Sequence, residues 1–226
     1  MIIISNIIID GGIPSKNSPN YCKDSFLLAC RKKNISGFKV DIYVTKDCKF
    51  VLANDKILKN LGINEEFIHS RNYEKIKNIK YGTKVKSHYL IDLETLFKIC
   101  KSNFNIIINV CNKYLNEKEI ECLNKLLIIN NSKNLFVSSS SIDILNKLNN
   151  TLNKGIFVTN KKDWEYSYLF YIVEEKNIDE KILYEKIKNN ALIFIICEKD
   201  SDIFTKLKNN NVFFILKYTN FILNKN

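Results

Sequence analysis

The chain has 226 residues, 46% of them hydrophobic, and a formal net charge of +11. That apolar content excludes a disordered chain, and the length suits one buried core, slightly short of the roughly 250 residues usual for a full α/β barrel. Nearly all the positive charge is lysine, with arginine only at Arg31 and Arg71, whereas specific phosphate and base readout favours arginine's planar fork; the charge therefore reads as an evenly solvated basic surface. Specific nucleic-acid binding is not expected, and weak attraction to anionic ligands or lipid surfaces stays open.

Short β-branched runs alternate with longer amphipathic stretches. Strands are predicted at residues 2–9, 38–44, 106–110, 135–138, 156–159, 169–173, 192–196 and 212–216. They are continuous apolar runs, as expected of parallel strands buried on both faces. Helices are predicted at residues 24–33, 92–101, 117–128, 142–149, 179–189 and 200–208, each with apolar spacing of three or four. Leu93, Leu96, Phe97 and Cys100, for example, share one face, and several helices begin at an aspartate able to cap the first turn. Between the fifth and sixth strands only a short connection, at 161–166, is visible. Residues 46–49 read as a tight turn and 50–53 as a return strand. Residues 54–89 form the longest stretch without a predicted strand, the kind of long βα connection that usually carries function in a barrel. The alternation argues for a closed barrel or a doubly wound sheet. No internal repeat, low-complexity block or linker interrupts the chain, so residues 1–226 read as one domain.

Seven cysteines occur (Cys22, Cys30, Cys48, Cys100, Cys111, Cys122 and Cys197), none in a CxxC pair. The two histidines, His69 and His88, lie near none of them. A zinc site or disulfide framework is not expected, and free thiols suit a reducing compartment. The run at 1–4 lacks a basic leader and is interrupted by Ser5 and Asn6, and no segment reaches the roughly 18 apolar residues of a membrane span. The expectation is a soluble cytoplasmic protein.

The stretch Gly37-Phe38-Lys39-Val40-Asp41-Ile42-Tyr43-Val44-Thr45-Lys46-Asp47 is similar to the signature G-x-E-x-D-V-x-x-T-x-D-G of the glycerophosphodiester phosphodiesterases. In that family an apolar run and His-Asp follow; here Val51-Leu52-Ala53 lead to Asn54-Asp55, with Leu58 where H-D-x-x-L ends. Asn72-Tyr73-Glu74-Lys75-Ile76 resembles T-x-E-E-L, and Leu90-Ile91-Asp92-Leu93-Glu94 resembles I-P-T-L-E. Ile7-Ile8-Ile9-Asp10-Gly11-Gly12 stands where the family has a strand followed by His-Arg-Gly. Asn211-Val212-Phe213-Phe214-Ile215-Leu216 resembles G-V-D-G-I-I. The matches occur in the family's order along nearly the whole chain.

The resemblance implies a single (β/α)8 TIM-type barrel and a site at the carboxyl ends of its strands. Family members cleave a glycerophosphodiester to glycerol 3-phosphate and an alcohol. They use Ca²⁺ or Mg²⁺ held by three acidic residues, two histidines as general acid and base, and an arginine on phosphate. The cation neutralises an anionic diester, and a histidine supplies a proton near neutrality. This sequence departs at most of those positions. Asp10 and Asn54 replace the histidines, and Gly11 replaces the arginine. Lys39 replaces the first acidic ligand, Asp41 keeps the second, and Asn109 stands for the third. No metal cofactor is expected, because Lys39 would repel a cation and only Asp41 survives as a ligand.

The expected ligand-binding positions are Lys39, Asp41, Asp55 and Asn109, with an anionic phosphodiester or phosphate as ligand. Lys39 and Asp41, two apart on a strand, share a face; they form a salt bridge that plugs the mouth, or Lys39 supplies the missing positive charge to a phosphate. Asp10 is a base for another reaction, a cap for the next loop or a partner of Lys39, and Asp55 is a turn residue. His69 and His88 either fold back over the mouth or are exposed structural residues. Trp164 and Tyr166 stack on a ligand, pack in the core or form a lid. Residues 138–141 present hydroxyls and N–H groups to an anion or cap the next helix. The leading expectation is a catalytically degenerate member acting in binding or interaction. The alternatives are an active phosphodiesterase with a remodelled site, and a protein partner docking on the outer helices or on residues 54–89.

Overall fold

The computed structural model describes residues 7–82, 86–100, 104–130, 133–197, 202–207, 209 and 211–217. Eight parallel strands run in sheet order around a closed barrel: β1 (Ile7–Asp10), β2 (Ile35–Val44), β6 (Asn105–Val110), β7 (Leu135–Ser139), β8 (Asn153–Val158), β9 (Phe170–Glu174), β10 (Leu192–Cys197) and β11 (Val212–Leu216). Closure is made by β1, which pairs with β11 through Ile9 and Leu216 and with β2 through Ile9 and Phe38. The expected closed barrel is therefore present, and the doubly wound sheet is excluded.

The near-continuous apolar runs follow from burial on both strand faces. Ile8, Ile107, Phe170, Ile172, Phe194, Ile196 and Ile215 fill the barrel interior, with Phe136, Phe157 and Phe213 packed against them. Phe136, Phe170 and Phe194 meet edge-on with ring centroids 5.5–5.6 Å apart. Such rings prefer that geometry, and burying each contributes about 1.5–3 kcal/mol. Residues of opposite parity, such as Phe38, Val40 and Ile42 on β2, face the surrounding helices in the larger outer core.

That outer layer comprises α1 (Lys23–Cys30), α5 (Leu93–Ile99), α6 (Glu117–Ile129), α7 (Ile142–Lys147), α8 (Glu180–Lys188) and α9 (Ile203–Lys206). Asp92 and Asp179 cap α5 and α8 as expected, accepting from Thr95 N at 2.9 Å and Ile182 N at 3.4 Å. Asp24 does not cap α1; it lies inside the first turn, behind Cys22. The residues of the last predicted helix at 200, 201 and 208, those of the first predicted strand at 2–6, and residue 101 lie outside the described residues.

The tight turn after β2 is present, with Thr45 N donating to Lys49 O at 2.8 Å. It leads to the return strand β3 (Phe50–Leu52), antiparallel to β2. Residues 54–89 differ from the strandless reading. They hold α2 (Asp55–Leu61), α3 (Glu65–His69), α4 (Tyr73–Ile76) and an antiparallel hairpin of β4 (Lys80–Gly82) and β5 (Ser87–Tyr89). The hairpin strands are short and largely exposed, so they lack the apolar run by which a buried strand is recognised. Between β8 and β9 a 3₁₀ turn (Lys161–Glu165) replaces a helix.

Candidate functional site

Strand parity brings the site together. The inward-facing positions that end the apolar layers are Asp10 on β1, Lys39, Asp41 and Tyr43 on β2, Asn109 on β6 and Glu174 on β9, followed by Cys111 and Lys217 just beyond β6 and β11. All line one open cavity of about 1220 Å³ at the carboxyl ends of the strands. Asn54 at the cap of α2, Asp55, Lys56 and Lys59 along it, and Lys113 after β6 form part of its rim.

Lys39 lies at the floor, only 4% exposed. Its Nζ is 2.5 Å from Asp41 Oδ2 and 3.4 Å from Asp10 Oδ1. Asn109 Nδ2 donates to Asp41 Oδ1 at 2.7 Å, and the Cys111 thiol approaches the same oxygen at 3.4 Å. The Tyr21 hydroxyl reaches both carboxylates, at 2.8 Å from Asp10 Oδ1 and 2.9 Å from Asp41 Oδ2. One phenolic proton serves one acceptor at a time, so the two aspartates compete for it. Tyr21 reaches the floor on a left-handed backbone (φ 64°), a conformation that costs a non-glycine residue about 1 kcal/mol or more. Gly11 makes room for it: a Cβ there would stand 2.2 Å from the Tyr21 ring.

The protonation states follow. Burial alone would lower the pKa of Lys39, but Asp10 and Asp41 overcome it and hold the ammonium above lysine's usual range. Burial would likewise raise Asp41, yet Lys39 and the bonds from Asn109, Lys39 and Tyr21 hold its carboxyl below the usual value. Asp10 has fewer donors. Burial raises its pKa, Lys39 offsets part of that rise, and the neighbouring charge of Asp41 adds to it. Burial, then the two carboxylates, push the Tyr21 phenol well up, and burial with Asp41 does the same to the Cys111 thiol. Lys39, Tyr21 and Cys111 thus keep their protons at neutral pH and Asp41 keeps its charge. Asp10 is the floor group displaced toward neutrality.

This donor set does not fit a divalent cation. The ammonium of Lys39 occupies the space between the two carboxylates that a shared cation would need, and like charges there repel. Among the described residues no cluster of three or more histidine, cysteine or acidic side chains is arranged to hold a metal.

Neither histidine reaches the mouth. His69 Nε2 pairs with Glu119 Oε1 at 2.6 Å, and His88, buried rather than exposed, bonds to Asn17 O at 2.7 Å. Asn54 lines the cavity, but its Oδ1 is engaged as the cap of α2, accepting from Ile57 N at 2.9 Å. Asp55 accepts from the Tyr43 hydroxyl at 2.6 Å. Trp164 is buried, stacked on Tyr171 with ring centroids 5.3 Å apart, and neither it nor Tyr166 lines the cavity. Of residues 138–141, Ser140 alone lines it; Ser138 bonds to Asn109 Oδ1 at 3.3 Å, and Ser139 to Val110 O at 3.0 Å. Ser141 occupies the cap position of α7 without a side-chain bond to it.

The sequence reading missed Tyr21, Cys111, Glu174 and Lys217. Parity was the available signal for Cys111, two residues past Asn109, and for Lys217, two past Ile215. Tyr21 comes from a loop and had no periodic signal.

No family model and no curated protein matches the chain. Solved structures do. A phosphodiesterase from Oleispira antarctica, determined in complex with the product sn-glycerol-3-phosphate, superposes with a TM-score of 0.74 at 14% identity, covering 94% of this chain and 93% of that one. Glycerophosphodiester phosphodiesterases from Parabacteroides distasonis (TM-score 0.73, 14% identity, 95% and 92% coverage) and Thermotoga maritima (TM-score 0.69, 17% identity, 93% of each chain) agree with it. The fold is that of the glycerophosphodiester phosphodiesterases. At such identities the likeness speaks for the fold of this glycerophosphodiester phosphodiesterase-like barrel, and its chemistry has to be argued from the floor residues. No helix among the described residues is long and apolar enough to cross a membrane.

Proposed function

We propose that this barrel is catalytically degenerate, works without a divalent cation, and binds a phosphate ester at its mouth instead of cleaving it. The observation that carries this reading is the Lys39 ammonium held between Asp41 and Asp10 at 2.5 and 3.4 Å. It internalises the positive charge and withdraws both carboxylates from any metal. A general acid or base contributes about 10²–10⁴-fold, and no histidine lines the cavity. Open space remains above the floor. Lys56, Lys59 and Lys113 line it and make no ion pair among the described residues, so they are available to an anionic ester. The Oleispira neighbour binds sn-glycerol-3-phosphate, which supports that ligand class. A remodelled hydrolase is the second reading; the raised pKa of Asp10 at the cavity floor favours it.

The test is an assay of the purified protein on glycerophosphodiesters with and without Ca²⁺ or Mg²⁺, alongside calorimetry of both ions and of glycerol 3-phosphate. We expect no turnover, no micromolar metal binding, and ester binding that weakens in Lys56→Ala/Lys59→Ala. Replacing Asp10→His, Lys39→Glu, Asn54→His and Asn109→Glu together should introduce weak metal-dependent turnover. Turnover by the native protein that survives chelators but is lost in Lys39→Ala would establish the remodelled hydrolase instead.

A further inference from the structure

Asp10 and Lys39 both line the cavity, and the floor network leaves each of them with unused bonding capacity. Asp10 is only 9% exposed. Tyr21 and Lys39 both meet it at Oδ1, at 2.8 and 3.4 Å, and its Oδ2 has no partner among the described residues. An ammonium carries three N–H donors. Lys39 has two acceptors, Asp41 Oδ2 at 2.5 Å and Asp10 Oδ1 at 3.4 Å, so at least one N–H has no acceptor among the described residues. Asp41, by contrast, has a donor at each oxygen. A buried polar atom in a native structure calls for a partner, and the side from which Asp10 Oδ2 can receive one is the cavity.

The two unused groups are neighbours, so one ligand atom can address both. A hydroxyl suits them because it donates and accepts at once. It gives its proton to an ionised Oδ2 while accepting from Lys39, and it accepts from Oδ2 as well when the carboxyl is protonated. A phosphate suits the same place badly. It brings negative charge beside Asp41, which keeps its own, and like charges repel. The ammoniums without an ion pair are those of Lys56, Lys59 and Lys113 at the rim, on flexible stems that can follow a phosphate.

We propose that Asp10 Oδ2 and the unused N–H of Lys39 form a hydroxyl subsite at the cavity floor, so that the mouth selects phosphorylated polyols and holds them with a hydroxyl down and the phosphate at the lysine rim. The subsite rests on the reading of this barrel as a phosphate-ester binder and adds what the ester must carry at its other end. The rim lysines attract any phosphate. Asp10 is the specificity-determining residue, because an ester without a hydroxyl leaves the floor groups unpaired, and a site built to bond a hydroxyl rejects ligands that lack one.

The experiment is calorimetric titration of the intact protein at neutral pH and fixed low ionic strength with sn-glycerol 3-phosphate, n-propyl phosphate and inorganic phosphate. n-Propyl phosphate has the same carbon chain and phosphate but no free alcohol. The native protein should bind glycerol 3-phosphate roughly tenfold or more tighter than n-propyl phosphate, a comparison that needs no substitution. In Asp10→Ala the two esters should come within about threefold of each other, and Asp10→Asn, which keeps a polar atom facing the cavity, should retain most of the preference. Lys56→Ala/Lys59→Ala should weaken all three phosphates by a similar factor and keep the preference. Equal binding of the two esters by the native protein, or a preference that Asp10→Ala leaves intact, overturns the subsite while the phosphate-ester reading stands. Tighter binding of all three phosphates in Asp10→Ala, with no effect of the lysine substitutions, puts the phosphate at the floor and also overturns it. If none of the three binds, the phosphate-ester reading fails and the subsite fails with it.

Discussion

On the β1, β2 and β6 side of the mouth, Asp10, Lys39 and Asp41 are each less than a tenth exposed; Lys39, Tyr21, Asn109 and Cys111 between them meet both oxygens of Asp41, and Lys39 and Tyr21 meet Asp10 at Oδ1. Across the cavity, Lys217 and Glu174 also pair, at 2.5 Å, but their side chains are 38% and 21% exposed. Water completes the solvation of the second pair, whereas protein atoms must complete that of the first. The contrast teaches why the first side has six converging residues and the second three, Glu174 with Lys217 and, at 2.7 Å, Lys176: a buried charge is tolerated when it is both paired and hydrogen-bonded, and a half-exposed one does not depend on either.

Lys39→Met is the strongest way to break this contrast. It leaves two buried carboxylates without their cation, so we expect a loss of about 3–5 kcal/mol, a fall of roughly 10 °C in Tm for a chain of this size. Thermal and urea melts across pH check it. Acidification below about pH 4 should recover part of the loss, because both carboxyls then take protons. A loss below about 1 kcal/mol would show that the network does not hold the floor.

Comparing Asp41→Asn with Asp10→Asn sharpens the roles within the buried side. Asp41 has a folded pKa below its unfolded value of 3.8. Its charge therefore contributes stability that is present above pH 3.8 and lost as pH falls through the folded pKa. Asp10 is shifted the other way, raised from 3.8, so its contribution is full below pH 3.8 and lost as pH rises through the folded pKa. At neutral pH we expect Asp41→Asn to cost about 2–3 kcal/mol and Asp10→Asn less than about 1 kcal/mol, with the gap narrowing in acid. Equal costs at pH 7, read from urea melts, would contradict the opposite displacement of the two carboxyls.

On the exposed side the effect should be smallest. Glu174→Gln and Lys217→Met should each change stability by about 0–1 kcal/mol and become indistinguishable from the native protein in 1 M salt. A salt-insensitive loss as large as that of Lys39→Met would remove the distinction between the two sides.

Much of the barrel was legible before its structure. Strands such as Ile106 to Val110 announce themselves because burial on both faces requires an unbroken apolar run, and α5 and α8 because their capping aspartates precede an amphipathic period. Lys39, Asp41 and Asn109 were singled out instead by the resemblance, which sets them at the positions of the family's three acidic ligands. What the sequence by itself determined is thus the alternation of elements and the identity of the charges that end the apolar layers. Only the tertiary structure decided their partners. The Tyr21 hydroxyl lands between Asp10 and Asp41 because Gly11 admits its ring, and His69 and His88 bond away from the mouth to Glu119 and Asn17. Those choices depend on loop geometry and distances across the barrel, which residue periodicity does not encode, and they decide which carboxyl is displaced toward neutrality.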